Sequence, residues 1–143
     1  MMFDTQSMFS DAQAVTATAA STNQIDFGAP QIPMHAKAAI TQDVGRGTAA
    51  PIRIQVVEAF VALTSLKIDI EVDDDVSFGS AKVVASVTVP AAELVAGYVA
   101  PMSYLPRGMD ERYARLNYTV VGDDATAGKI TAGYVFGNEA WSA

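Results

Sequence analysis

Apolar and polar residues alternate with a period of two from the middle of the chain onward. In "SLKIDIEVD" (65–73), Leu66, Ile68, Ile70 and Val72 are interleaved with Lys67, Asp69, Glu71 and Asp73. Successive side chains of an extended strand point to opposite faces, so this stretch predicts a strand with one buried and one wet face. "IRIQVVEAF" (52–60) does the same through Ile52, Ile54 and Val56, with Arg53 and Gln55 facing the other way. "KVVASVTV" (82–89) follows with Val83, Ala85, Val87 and Val89 on one face, and "RYARLNYTVVG" (112–122) with Ala114, Leu116, Tyr118 and Val120. "KITAGYVF" (129–136) places Ile130, Ala132, Tyr134 and Phe136 together.

The connections read as hairpin turns. "DDVSFGSA" (74–81) and "GDDATAG" (122–128) carry the Gly and Asp that tight turns need, so each is expected to join the strands on either side as an antiparallel hairpin. One short helix is expected near 91–96 in "PAAELVAG", with Pro90 at its start and Gly97 at its stop. It is too short for a parallel crossover. Strands separated by turns, with almost no helix, predict an all-β antiparallel jelly roll or related β-sandwich.

The first third is less regular. "DAQAVTATAAS" and "TNQIDF" are weak strand candidates, and 28–50 shows no sustained period while holding two prolines and three glycines. The expected organisation is an N-terminal arm or first strand at 1–22, then a single β-sandwich domain at 23–143 with a long loop at 28–50. The arm either reaches a neighbouring subunit or folds back on its own core. Long structureless loops in a compact domain are uncommon and usually functional or disordered.

Composition narrows the chemistry. Half of the 143 residues are hydrophobic, 25 of them alanine, and only 17% are charged. That charge density is low for a chain whose whole surface faces water, so partners are expected to cover part of it. A net charge of −7 provides no field to attract phosphate backbones, so nucleic acid is not an expected partner. No cysteine is present, which removes disulfides, thiolate metal sites and thiol nucleophiles. "MMFDTQSMFS" lacks the basic and apolar regions of a signal peptide, and no run approaches 18 apolar residues, so neither secretion nor a membrane span is expected.

Catalytic patterns fail one after another. His35 is the single histidine and lies in the irregular loop, so a Ser-His-Asp triad or a His-rich metal site has nothing to draw on. "DDD" (73–75) resembles the start of a calcium loop, but an EF-hand would put its glycine at Phe78 and its glutamate at Val84. A solvated turn is the better reading. Glu58, Glu71, Glu93 and Glu111 could supply a glycosidase pair, but none sits beside an aromatic cluster. Nucleotide-binding glycine loops are missing, and "NYT" (117–119) is a glycosylation acceptor only in a secreted chain. No enzyme and no cofactor is expected.

One polar cluster stands out. Arg107, Asp110, Glu111, Arg112 and Arg115 crowd the entry to the 112–122 strand, with three of the chain's five arginines among them. A guanidinium there can bridge carboxylates bidentately, either across strands or across a subunit interface. An anion site would need more basic residues converging, and the others are scattered singly.

The blocks "MFSDAQAVTATAASTNQIDFG" (8–28), "DVGRG" (43–47), "LVAGY" (94–98), "LPRG" (105–108), "RYARLNYTV" (112–120) and "ITAG" (130–133) resemble, in order, the small capsid cement proteins of tailed bacteriophages. The resemblance runs along nearly the whole chain, although no single block is diagnostic, and "QIPMHAKAAITQ" (31–42) departs from the family's pattern. It implies a β-sandwich subunit on the exterior of a virion capsid, made in the host cytoplasm, non-enzymatic and without cofactor. The implied partners are the major capsid protein and the chain itself, as a closed homodimer or secondarily a trimer. No membrane partner is implied.

The expected contact residues are Met1, Met2, Phe3, Met8, Phe9, Asp43, Arg46, Arg107, Arg112, Arg115 and Trp141. Removing residues 1–10 is expected to weaken such contacts without unfolding the domain. The alternative function is a carbohydrate-binding jelly-roll module, which would need an exposed platform built from Tyr98, Tyr104, Tyr113, Tyr118 or Tyr134.

Overall fold

A computed structural model describes residues 2–137. It contains β1 (Phe3–Ala14), β2 (Ala19–Ala20), β3 (Ile25–Asp26), β4 (Ile52–Asp73), β5 (Lys82–Pro90) and β6 (Tyr113–Val135). All pairings are antiparallel, in the order β1-β6-β4-β5, with β2 and β3 also on β6.

The length of β4 and β6 dictates the architecture. They run for 22 and 23 residues, paired from Ile52↔Tyr134 to Asp73↔Tyr113. A straight strand of that length would extend roughly 70 Å, whereas a compact chain of this size has a radius of gyration near 15 Å. The ribbon therefore has to fold over. Four successive register shifts lie between Val56 and Ser65, and Ala62 and Gly122 both take positive φ, 82° and 92°. Extra residues of this kind bend a strand and increase its twist. Gly122 cannot be replaced freely, because a Cβ there would overlap Thr64 in the facing strand.

Folding the ribbon makes two sheets. The first contains β1, the second half of β6, the first half of β4 and the segment 94–105. That last segment is not a regular strand, yet it hydrogen-bonds antiparallel along β4 through Val56–Tyr98, Ile54–Ala100 and Ile52–Ser103, and onward to Ala50, just before β4, through Leu105. The second sheet contains β2 and β3, the first half of β6, the second half of β4, and β5. With each long strand counted as two, every connection and neighbour follows the jelly-roll order.

Between the sheets lies one core. Ile52, Ile54, Val56, Ile130 and Ala132 from the first sheet meet Leu66, Ile68, Ile70, Val72, Ala114, Leu116 and Tyr118 from the second, all buried. These are the residues whose alternation predicted the strands. The Tyr118 hydroxyl, the one polar tip in this layer, bonds Ser10 Oγ of β1 at 2.8 Å. Burial pushes its pKa well above the ordinary phenol value, so it stays neutral.

The structure corrects the sequence reading in three places. Residues 122–128 are no hairpin: β6 continues through them as a bent strand, because its two halves serve opposite sheets. The expected helix near 91–96 is a single 3-10 turn, Ala91–Glu93, since from Leu94 the backbone bonds to β4 instead. Val83 and Phe136 leave the core pattern, at 48% and 66% exposure. A register shift in β5 turns Val84 inward in place of Val83, and Phe136 lies beyond the end of β6.

Candidate interaction surface

The arginine cluster is committed to pairing strands within the subunit. Arg112, just before β6, grips Asp26 of β3 with two bonds of 2.9 Å, from Nε and Nη2, and lies 5.0 Å from the Tyr113 ring centroid. This bidentate bond, helped by the Gly28 amide, lowers the Asp26 pKa to about 2. Arg115 of β6 donates to Glu71 of β4 at 2.9 Å while its guanidinium lies 4.2 Å from the Phe78 ring centroid. Lys82 reaches Asp110 at 3.0 Å, and the Lys82 ammonium holds the Asp110 pKa below its usual value. Arg112 and Arg115 are thus spent inside the fold, while Arg107 is exposed in the 105–109 turn.

"DVGRG" and "LPRG", two blocks of the resemblance, dock on one another. The Asp43 carboxylate accepts the amides of Gly45 at 3.0 Å and Gly108 at 3.1 Å, and the Val44 amide donates to the Met109 carbonyl. At Gly45 the backbones approach so closely that a Cβ would overlap the Pro106 carbonyl. Asp43 therefore holds the crossover from the first sheet to the second, a structural role for an expected contact residue. Arg46, 3.4 Å from Asp43, keeps 75% of its side chain exposed.

The ends of the chain behave unevenly. Phe9 is 1% exposed within the core, which corrects its assignment as a contact residue: a register shift in β1 places both Phe9 and Ser10 inward. Phe3 pairs with Val135 and Met8 with Gly133, both half-buried, while Met2 is exposed and accepts the Phe136 amide. The N-terminal strand thus folds onto its own sheet. Met1 and Trp141 lie outside the described residues.

Concave chemistry is sparse. One open depression of about 270 Å³ is lined by Thr41, Gln42, Asp43, Arg46 and Asp110. A second, about 290 Å³ and mainly apolar, opens between Phe27, Val44, Ala50, Leu105 and Tyr134. His35 lies exposed in the 28–50 loop and lines neither. Among the described residues no three His, Asp or Glu side chains are grouped to hold a metal. The Asp73 carboxylate accepts amides from Asp75 and Ser80, so it caps the 73–80 turn. Of the five tyrosines, Tyr104 alone is more than half exposed, at 53%.

What the sequence reading missed is the outer face of the first sheet. Val57, Val99 and Tyr104 are exposed there, and Phe136 and Met2 lie at its margin. Val57 falls at a register shift and 94–105 lacks alternation, so neither announced an exposed apolar face.

No curated protein matches this chain. The Bbp16 family model matches residues 9–134, from within β1 almost to the end of β6. A match over that extent, on a two-sheet all-β subunit, places the chain: it belongs to the Bbp16 family, a phage-related family.

Proposed function

We propose that this protein is a non-enzymatic structural component of a phage head, which binds the outside of the capsid lattice and cements neighbouring major capsid subunits. The observation that carries the reading is the apolar outer face of the first sheet. An antiparallel sheet normally shows a polar outer face to water, whereas this one exposes Val57, Val99 and Tyr104, and exposed apolar residues grouped on one face mark a binding surface. The phage-related family membership and the earlier resemblance to cement proteins agree with it.

Cementing needs area and repetition more than a pocket. Each apolar side chain buried against a partner contributes roughly 1.5–3 kcal/mol before the costs of association. Many identical modest contacts around a shell then add through multivalency. A closed homo-oligomer, a dimer first and a trimer second, would multiply the contacts without open polymerisation.

The test is reconstitution. Heads lacking this protein are mixed with the purified chain, and binding is followed by co-sedimentation and head survival by heating. Saturable binding with a higher disruption temperature is expected. Heads that neither take up the chain nor gain thermal resistance would remove the proposal.

A further inference from the structure

We infer that the outer face of the first sheet is the surface laid against the capsid, with Arg53 taking an Asp or Glu carboxylate from a capsid subunit. This rests on the cementing reading and assigns its contact face and its pairing chemistry.

Arg53 stands between Ile52 and Ile54, both 2% exposed, so strand alternation turns it outward. Its register partner in β6 is Gly133. Two residues away on the same face are Pro51, bridged to Tyr104, and Gln55, paired with Thr131 and bridged to Val99. No neighbouring position in this register carries a charge. The whole of 94–105 contains no charged residue, and Glu58, the nearest acid along β4, is held by Lys129 at 3.1 Å.

Arg53 has no ion pair among the described residues, and its Nε is buried without an acceptor. Arg46, Arg112 and Arg115 each have a carboxylate partner. A guanidinium cannot lose its proton to escape burial, so an unpaired, desolvated Nε–H keeps its full penalty in the free subunit. The buried Nε itself lies out of a partner's reach, but the two Nη nitrogens are not buried, and a carboxylate docked on that outer end gives the guanidinium the counter-charge it lacks in the free subunit. The carboxylate can engage the guanidinium with two parallel bonds while Tyr104 and Val99 exclude water around the pair. Charge complementarity selects this occupant: one positive centre in an apolar field, on a chain of net charge −7, matches an apolar patch bearing one acid.

The test uses heads lacking the protein and five forms of the full chain: wild type, R53A, R53E, R53K and the control K82A. Binding is measured by co-sedimentation at several salt concentrations, and thermal unfolding confirms that each variant is folded. R53A is expected to bind at least tenfold more weakly, R53E not detectably, and R53K between wild type and R53A, because an ammonium cannot reproduce the fork. K82A, on β5 at the edge of the second sheet, should bind as wild type does. A second measurement needs no variant: oxidative footprinting of the wild-type chain should show Tyr104 reactive when free and protected on heads. Wild-type binding with R53A and R53E unchanged, or with Tyr104 still reactive, would overturn this inference and leave the cementing reading standing. Wild-type chain that ignores the heads would remove both.

Discussion

Lys67, Asp69, Glu71 and Arg115 occupy adjoining outward positions on the second sheet, while Arg53 occupies the same kind of position on the first. On the second sheet the charges answer one another: Lys67 meets Asp69 at 3.0 Å, Arg115 meets Glu71 at 2.9 Å, and the Phe78 ring covers the Arg115 guanidinium. A single atom there, Asp69 Oδ1, is buried without a partner. On the first sheet the cation has no answering acid among the described residues, and those paired beside it are apolar or neutral. Both faces come from the same two bent strands. A face that closes its own ion pairs has little left to offer a partner, whereas a lone cation in an apolar field has a vacancy of defined chemistry.

The comparison breaks most visibly when the interior shared by both faces is disturbed. Deleting residues 1–10 removes Phe9 from the core and Ser10 from Tyr118, and takes most of an edge strand from the first sheet. Loss of the aromatic alone is expected to cost about 3–5 kcal/mol, so the deletion should destabilise the domain itself, contrary to the expectation from sequence. Urea denaturation measures it, and an unchanged midpoint would show that β1 is dispensable to the fold.

Arg115→Ala tests the self-satisfied face. Glu71 keeps only 11% of its side chain exposed, so removing its partner strands a nearly buried carboxylate. A loss of about 2 kcal/mol in unfolding free energy is expected, with head binding intact wherever the variant is folded. Weaker binding by a folded Arg115→Ala would put the contact on the wrong sheet. Lys129→Ala, whose partner Glu58 is 45% exposed like the lysine itself, should change stability by under about 0.5 kcal/mol.

The subtlest check is a titration. The folded pKa of Asp26, about 2, lies below the ordinary 3.8, so its pairing stabilises the fold above the ordinary value and is lost as pH falls from about 4 towards 2. Carboxyl NMR should find that low midpoint in the wild type. In Arg112→Ala it should climb towards 3.8 but stop short, since the Gly28 amide still donates. An Asp26 that titrates at 3.8 in the wild type would mean the bidentate pair does not persist in solution.

Strand positions and core membership were legible from local pattern. Ile52, Ile54, Leu66, Ile68, Ile70, Leu116 and Ile130 are buried where alternation put them, because a period of two assigns faces without reference to partners. The 73–80 turn was legible for the same reason, its Asp73 cap acting within seven residues. Of the candidate site, the sequence showed that the arginine cluster would pair with carboxylates, but left open whether across strands or across a subunit interface, and the identity of each partner was not legible. Arg112 finds Asp26 86 residues away, and Arg115 finds Glu71 across 44.

The amino-acid sequence by itself determined that this chain makes strands with an apolar and a polar face, and which apolar side chains would leave water, since both follow from each residue and its near neighbours. The polar face it expected to be wet carries Asp69, Glu71 and Asp73, which the structure buries. Tertiary structure alone decided that two overlong strands fold over to serve both sheets, that "GDDATAG" is a bend and not a turn, and that 94–105 closes the first sheet as an irregular edge. It also decided which cations find acids and that Arg53, on the outer face of the first sheet, finds none among the described residues. Those outcomes depend on hydrogen bonds and ion pairs between residues far apart in the chain, and alternation has no means of naming a distant neighbour.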